Sequence, residues 1–366
     1  MVLVKAEDLV LPGVAAIHPY EPGKPIEEVE RELGIGEAVK LASNENPLGP
    51  SPKAIDAIIK ALPELNRYPD GGAWVLRHKI AARHRVAPDQ VFIASGSVEV
   101  LNLLSFLMLR PGLNAIYPEH CFAIYPLATA AAGGTGRAVP VRDGFYFDLE
   151  RVADAIDEHT RIVFLDNPNN PSGTIFRRAA WERFLARVPE RVVIVADEAY
   201  SEFVRDPDYP DSLKYHAADR MIVTMRTFSK IFGLAGLRVG YAVARPDLVT
   251  LLNKVRQPFN VTSLGQLAAA AGMDDHEHVR RTLEVNARGI EYLEGEFRRL
   301  GIGYVPTQAN FILADVADGQ AVFEKLMREG VIVRPMGGYN FPRHVRISVG
   351  TAEENRRLVE ALAKVL

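Results

Sequence analysis

Apolar residues along this chain come in two textures. Short continuous runs of strand length occur at Gln90–Ser95, Arg161–Asp166, Val192–Asp197 and Met221–Met225. Runs that are apolar at every position fit strands covered on both faces, and amphipathic stretches such as Val98–Leu109 separate most of them. Such alternation predicts a mainly parallel sheet sheathed by helices, an α/β class. Beyond about residue 255 the texture changes. Long helical stretches at Glu277–Leu300, Gly319–Glu329 and Glu353–Leu366 alternate with short strands at Asn310–Asp315, Val331–Arg334 and His344–Val349. The expected organisation is an arm over 1–45, a large domain over 46–255 and a smaller α/β domain over 256–366. Pro and Gly in His18-Pro-Tyr-Glu-Pro-Gly-Lys-Pro25 argue against regular structure there, so the arm is expected to pack on the small domain and on a partner subunit.

Composition narrows the function classes. The 366 residues are 48% hydrophobic and 24% charged, which is ordinary for a globular protein with a sizeable core. A net charge of −3 leaves no electrostatic footprint for nucleic acid or an anionic membrane. The single cysteine, Cys121, excludes an internal disulfide and a cysteine-built zinc site, and fits a reducing, cytoplasmic setting. The first eight residues carry acidic groups where an export signal needs an apolar core, and Leu103–Leu109 is too short to cross a bilayer.

Ligands of α/β sheets bind beyond the carboxyl ends of the strands, so the residues that follow each predicted strand matter most. Four clusters fall there: Gly96-Ser-Val-Glu99; Asn167-Pro-Asn-Asn-Pro-Ser-Gly173; Asp197-Glu-Ala-Tyr200; and Arg226-Thr-Phe-Ser-Lys230 running on to Arg238. Their chemistry is complementary. Gly96 and Ser97 at a helix start offer N–H groups and a helix dipole to a phosphate. Thr227, Ser229 and Arg238 add hydroxyl and guanidinium donors. Lys230 is a nucleophile toward an aldehyde, its amine pKa lowered by cationic neighbours and desolvation. Asp197 suits a protonated pyridine nitrogen, and Asn170 and Tyr200 suit a ring oxygen.

Each cluster alone has a plainer reading. Asn, Pro and Gly punctuate turns, an Asp ending a strand caps the next helix, and a lone Lys is solvated. Their joint occurrence, in order, at successive strand ends decides the matter.

That ordered set resembles the fold-type I pyridoxal-phosphate aminotransferases of class II, and within them the histidinol-phosphate aminotransferase family. The likeness runs from Pro19-Tyr-Glu-Pro22 through Leu41–Pro50 and Arg67-Tyr-Pro-Asp70 to Arg346-Ile-Ser-Val-Gly350. It implies the cofactor pyridoxal 5'-phosphate, bonded as a Schiff base by Lys230, which later moves a proton between substrate carbon and cofactor. It further implies Asp197 on the pyridinium, Tyr200 and Asn170 on the phenolic oxygen, and Phe122 stacked on the ring. Ser97, the Val98 backbone, Thr227, Ser229 and Arg238 would hold the phosphate, joined by Tyr68 from the partner of a homodimer. Tyr20, Arg334 and Arg346, with Asn44 close by, would bind the anionic group of the substrate. Two guanidinium groups suit a phosphate ester and a carboxylate equally well.

The implied reaction is transamination between L-histidinol phosphate and 2-oxoglutarate, giving imidazole-acetol phosphate and glutamate, a step of histidine biosynthesis. An aromatic amino-acid aminotransferase and a decarboxylase of a phosphorylated amino acid remain open on the same residues. Two departures from the family pattern stand out: Val98 replaces an Asp or Asn, and Glu119-His-Cys121 precedes Phe122. Other classes lack their signatures. Gly233-Leu-Ala-Gly236 and Gly133-Gly-Thr-Gly136 do not form a dinucleotide fingerprint, and no P-loop or His-Glu-x-x-His motif occurs.

Overall fold

The computed structural model describes residues 4–19, 23–216 and 220–366. Its centre is a seven-stranded sheet in the order Val91–Ala94, Gly240–Val243, Ile222–Thr227, Val193–Asp197, Thr160–Asp166, Asn114–Pro118, Thr135–Val139. All neighbours are parallel except those of Gly240–Val243, which runs against both strands it touches. The continuous apolar runs have the expected cause. Ile162 and Phe164 pack on one side of the sheet with the helices Ser97–Met108 and Pro246–Val255. Val163 and Leu165 pack on the other with Trp181 and Phe184 of Arg178–Arg187. Both faces are buried, so no polar position survives between them.

A third cluster joins the helices Pro52–Ala61, Trp74–His84 and Ser263–Gly272 to the Val91 and Val243 side of the sheet. Ser51 caps the first of these helices, accepting from the Ala54 N–H.

The C-terminal part is a four-stranded antiparallel sheet in the order Arg334–Pro335, His344–Ser348, Phe311–Asp315, Gly303–Val305. The helices His276–Leu300, Gly319–Arg328 and Ala352–Val365 accompany it over a common apolar core. A capping box between Thr351 and Glu354 starts the last of them. The N-terminal segment joins this part, since Val39–Lys40 pairs in parallel with Val331–Ile332. Ahead of it, Ile26–Leu33 forms a helix that ends on Gly34 at φ 65°, an element absent from the sequence reading. Its start signal is hidden because Pro25, rather than Ser, Thr or Asp, stands at the N-cap.

Candidate active site

The carboxyl ends of five strands, residues 42–45 and two strands of the smaller sheet line a cleft of about 260 Å³. Its walls include Ser97, Val98, Phe122, Asn170, Asp197 and Tyr200, together with Thr227, Ser229, Lys230, Arg238, Arg334, Arg346 and Asn44. One expected member lies elsewhere. Tyr68 is 82% exposed and stacks on Phe259 with centroids 4.7 Å apart, outside the cleft of its own chain. Tyr20 lies outside the described residues.

One end of the cleft is a cradle of donors. Gly96 has φ 73° and precedes the helix Ser97–Met108, whose first N–H groups have no partner within the helix. A Cβ at Gly96 would lie 2.5 Å from Nη2 of Arg238, and one at Gly240 would lie 2.5 Å from the Ser97 nitrogen. Both glycines are therefore required for the close approach of helix, strand and guanidinium. Arg238 itself has φ 52° and donates to Ser229 Oγ and the Ala235 carbonyl, at 3.5 and 3.1 Å. Thr227 Oγ1 accepts from the Ser229 N–H, which ties the hydroxyls of this turn together.

Lys230 sits between the cradle and the smaller sheet. Its Nζ donates to the Ser43 carbonyl at 3.1 Å and lies 5.6 Å from the Tyr200 ring centroid. Burial, and then the charges of Arg346 and Arg238, bring its pKa down to about 7, against the opposing pull of Glu45 and Asp197. Near neutrality a large share of the amine is thus uncharged and nucleophilic.

Asp197 is 4% exposed and accepts from the Tyr125 hydroxyl at 3.0 Å and the Ala199 N–H at 3.2 Å. Burial pushes its carboxyl up to about 6, with the Tyr125 hydrogen bond pulling the other way. Tyr125 is fully buried and stacks on Phe164 at 5.0 Å, so its hydroxyl is firmly aimed. Tyr200 accepts from the side-chain amide of Asn44 at 2.9 Å, and burial pushes its phenol up to about 12. Phe122 is partly buried, its ring 5.9 Å from that of Tyr125 and nearly perpendicular to it.

The guanidinium side is set by strand register. Arg334 and Arg346 face each other across the antiparallel pair Arg334–Pro335 and His344–Ser348, so both side chains project to the same face. Arg346 donates to Asn170 Oδ1 at 2.5 Å and to the Ala42 carbonyl at 2.8 Å, while its Nε is buried without a partner.

Several wall residues escaped the sequence reading: Asp166, Ser43, Glu45, Tyr339 and, behind Asp197, Tyr125. Asp166 looked like the last residue of a strand, and Tyr125 like one aromatic in an apolar helix. For Ser43 and Glu45 the signal is present, since both lie inside Leu41–Pro50, where the likeness to the family runs.

A buried amine of lowered pKa, a buried carboxyl and a cradle of hydrogen-bond donors thus share one cleft. The chain belongs to the aminotransferase class I and II family, whose model matches residues 37–362. Among individual relatives, it is 50% identical over 361 residues to histidinol-phosphate aminotransferase 2 of Pseudomonas aeruginosa, covering 98% of each chain. It is 48% identical to histidinol-phosphate aminotransferase 1 of Nitrosococcus oceani, covering 98% of this chain and 97% of that one. Among solved structures, the Sinorhizobium meliloti histidinol-phosphate aminotransferase in complex with pyridoxal-5'-phosphate superimposes with a TM-score of 0.89 at 26% identity, covering 97% and 96% of the two chains.

Proposed function

We propose that this protein is a pyridoxal-phosphate-dependent aminotransferase that exchanges an amino group between L-histidinol phosphate and 2-oxoglutarate in histidine biosynthesis. The observation that carries it is the placing of Lys230 in one cleft with Asp197, the Gly96 cradle and the in-register pair Arg334 and Arg346. A chain half identical to named histidinol-phosphate aminotransferases over nearly its whole length brings that cleft to this substrate. Pyridoxal phosphate, when bound, supplies an aldehyde for amines and a ring that withdraws electrons from the substrate carbon.

The residues divide the remaining work. The Ser97 and Val98 N–H groups, Thr227, Ser229 and Arg238 would hold the phosphate. Asp197 would keep the ring nitrogen protonated, with Tyr125 fixing its orientation. Asn170 and Tyr200 would hold the phenolic oxygen, and Phe122 would cover the ring. Lys230 would bond the aldehyde and afterwards carry the proton. Arg334 and Arg346, beside Asn44, would take the phosphate of one substrate and the carboxylate of the other.

The active unit would be a homodimer in the cytoplasm, with a large cofactor-binding part and a smaller C-terminal part. Tyr68, exposed on its own chain, would then complete the phosphate cradle of the partner. Ile55, Ile59, Leu62, Leu65 and Trp74, all exposed and all close to Tyr68 in sequence, support an interface there. The one cysteine, buried and unpaired, fits a reducing compartment. An aromatic amino-acid aminotransferase is the second reading, since two guanidinium groups accept a plain carboxylate as well.

Single turnovers separate the two. Purified enzyme loaded with cofactor is mixed with L-histidinol phosphate or with phenylalanine, and the visible absorbance of the cofactor is followed. Histidinol phosphate is expected to discharge it at far lower concentration. A larger rate-to-concentration ratio for phenylalanine would overturn the substrate assignment and leave the reaction class standing.

A further inference from the structure

The cleft holds a second buried carboxyl that none of these roles uses. Asp166 ends the strand Thr160–Asp166, and Asp197 ends the parallel strand beside it, with the two residues paired in register. Residues paired this way project to the same face of a sheet. Both line the cleft, 3% and 4% exposed.

Their surroundings differ in kind. Asp197 uses both oxygens, one toward Tyr125 and one toward the Ala199 N–H, and feels the cation of Lys230. Asp166 receives both of its hydrogen bonds on Oδ2, from the Asn170 N–H at 2.8 Å and the Asn169 side-chain amide at 3.2 Å. Its Oδ1 is buried without a partner. That division suits a neutral carboxylic acid: the carbonyl oxygen accepts twice, and no donor on the other oxygen favours the anion. The other titratable groups bearing on Asp166 are Asp197, the Tyr125 hydroxyl and the Cys121 thiol, and burial keeps the last two protonated. Of the cleft's cations, Arg346 donates to the side chain of Asn170, Lys230 to the Ser43 carbonyl and Arg238 to Ser229 Oγ, while Arg334 faces Arg346 across the strand pair.

We propose that Asp166 and Asp197 form a carboxyl pair carrying a single negative charge, with Asp166 its protonated member. Asp166 is then a positioning residue. It pins Asn169 and Asn170 through Oδ2 without placing a second anion beside Asp197, where like charges would oppose each other and repel a phosphate ligand. Burial, followed by the neighbouring Asp197, pushes Asp166 up to about 8, further than Asp197 is pushed. The consequence for cofactor binding rests on the proposed function; the protonation itself does not.

Two measurements test the pair. Infrared spectra of the wild-type protein with carboxyl-labelled aspartate are expected to show the C=O stretch of a neutral acid at neutral pH, lost as the pH is raised past about 8. Among the described aspartates only Asp166 and Asp197 are shifted upward, so the band is expected from this pair, and its absence at neutral pH overturns the proposal even if no variant folds. In D166N the band disappears. Pyridoxal phosphate binding to the apoenzyme is the second measurement. Wild-type affinity is expected to weaken above about pH 8, by about tenfold for each unit of coupling, whereas D166N keeps its neutral-pH affinity into that range. Equal alkaline weakening in both proteins overturns the functional role of the pair. A wild-type enzyme that bound no cofactor at any pH would instead sink the cofactor reading, with the infrared result still legible.

Discussion

Arg346 donates to the side-chain oxygen of Asn170 at 2.5 Å, joining the smaller sheet to the loop that follows the Thr160–Asp166 strand. The contact pairs a residue assigned to the substrate with one assigned to the cofactor. The Arg346 Nε stays buried and unpartnered. In R346A the Michaelis constants for amino and oxo substrates are both expected to rise by about 30-fold or more, since losing one side of a buried charged hydrogen bond costs about 2–5 kcal/mol. Steady-state kinetics with both substrates checks this. A change confined to kcat would remove Arg346 from substrate binding.

Why that pairing was only half legible in the sequence follows from where the information lies. Runs such as Ile162–Leu165 show that a strand is buried on both faces, and the polar residues after each run then mark the cleft. Lys230, Asp197, Asn170 and Arg238 were found in this way, and all four line it. Periodicity is silent on which strands are neighbours. The pairing of Asp166 with Asp197, and of Arg334 with Arg346, belongs to register, which sequence spacing alone does not fix. Tyr125 was invisible for a related reason, because an apolar helix gives no sign of which aromatic turns its hydroxyl toward a carboxylate. Tyr68 points to a different limit: its expected target is on another copy of the chain.

G96A is expected to weaken pyridoxal phosphate binding while the protein still folds. The new Cβ would meet Arg238 Nη2 at 2.5 Å, and φ 73° with ψ 157° is a conformation that only glycine adopts freely. Displacing one charged donor costs about 1.5–3 kcal/mol, so the dissociation constant should rise by about tenfold or more. Fluorescence titration of the apoenzyme measures it. Unchanged affinity would mean that Arg238 does not serve the phosphate.

His84 makes an acid-sensitive contribution to stability. Its Nε2 lies 2.7 Å from the Tyr241 hydroxyl, and burial, then Arg226 and Arg83, brings its pKa down to about 3 from the usual 6.5. The unfolded chain therefore binds a proton between those values that the folded protein refuses. Its contribution is full above about pH 6.5 and is lost as the pH falls toward 3, at most about 1.4 kcal/mol per pH unit. His216, brought down to about 4 by burial, adds to the same slope. The raised carboxyls of Asp166 and Asp197 act in the opposite sense over this range, so the test is a difference between proteins: in urea unfolding from pH 7 to 4.5, H84Q should lose less stability with acid than the wild type. An equal slope in the variant would place the sensitivity elsewhere.

The lowered pKa of Lys230 gives the most direct kinetic signature. With the amine brought down to about 7, capture of pyridoxal phosphate by the apoenzyme should accelerate as the pH rises through that value and then level off. An ordinary lysine would show the rise near its usual 10.5. K230A should lose the visible absorbance of the bound cofactor altogether, and a retained band would remove Lys230 as the point of attachment. Desolvation is the first cause of the lowered value and Arg346 the second, so R346A should move the midpoint of capture upward while leaving the absorbance in place. An unmoved midpoint would remove Arg346 from the causes of the shift. That comparison separates the two causes in one variant, and it makes the same arginine answerable for substrate affinity and for the nucleophilicity of the lysine.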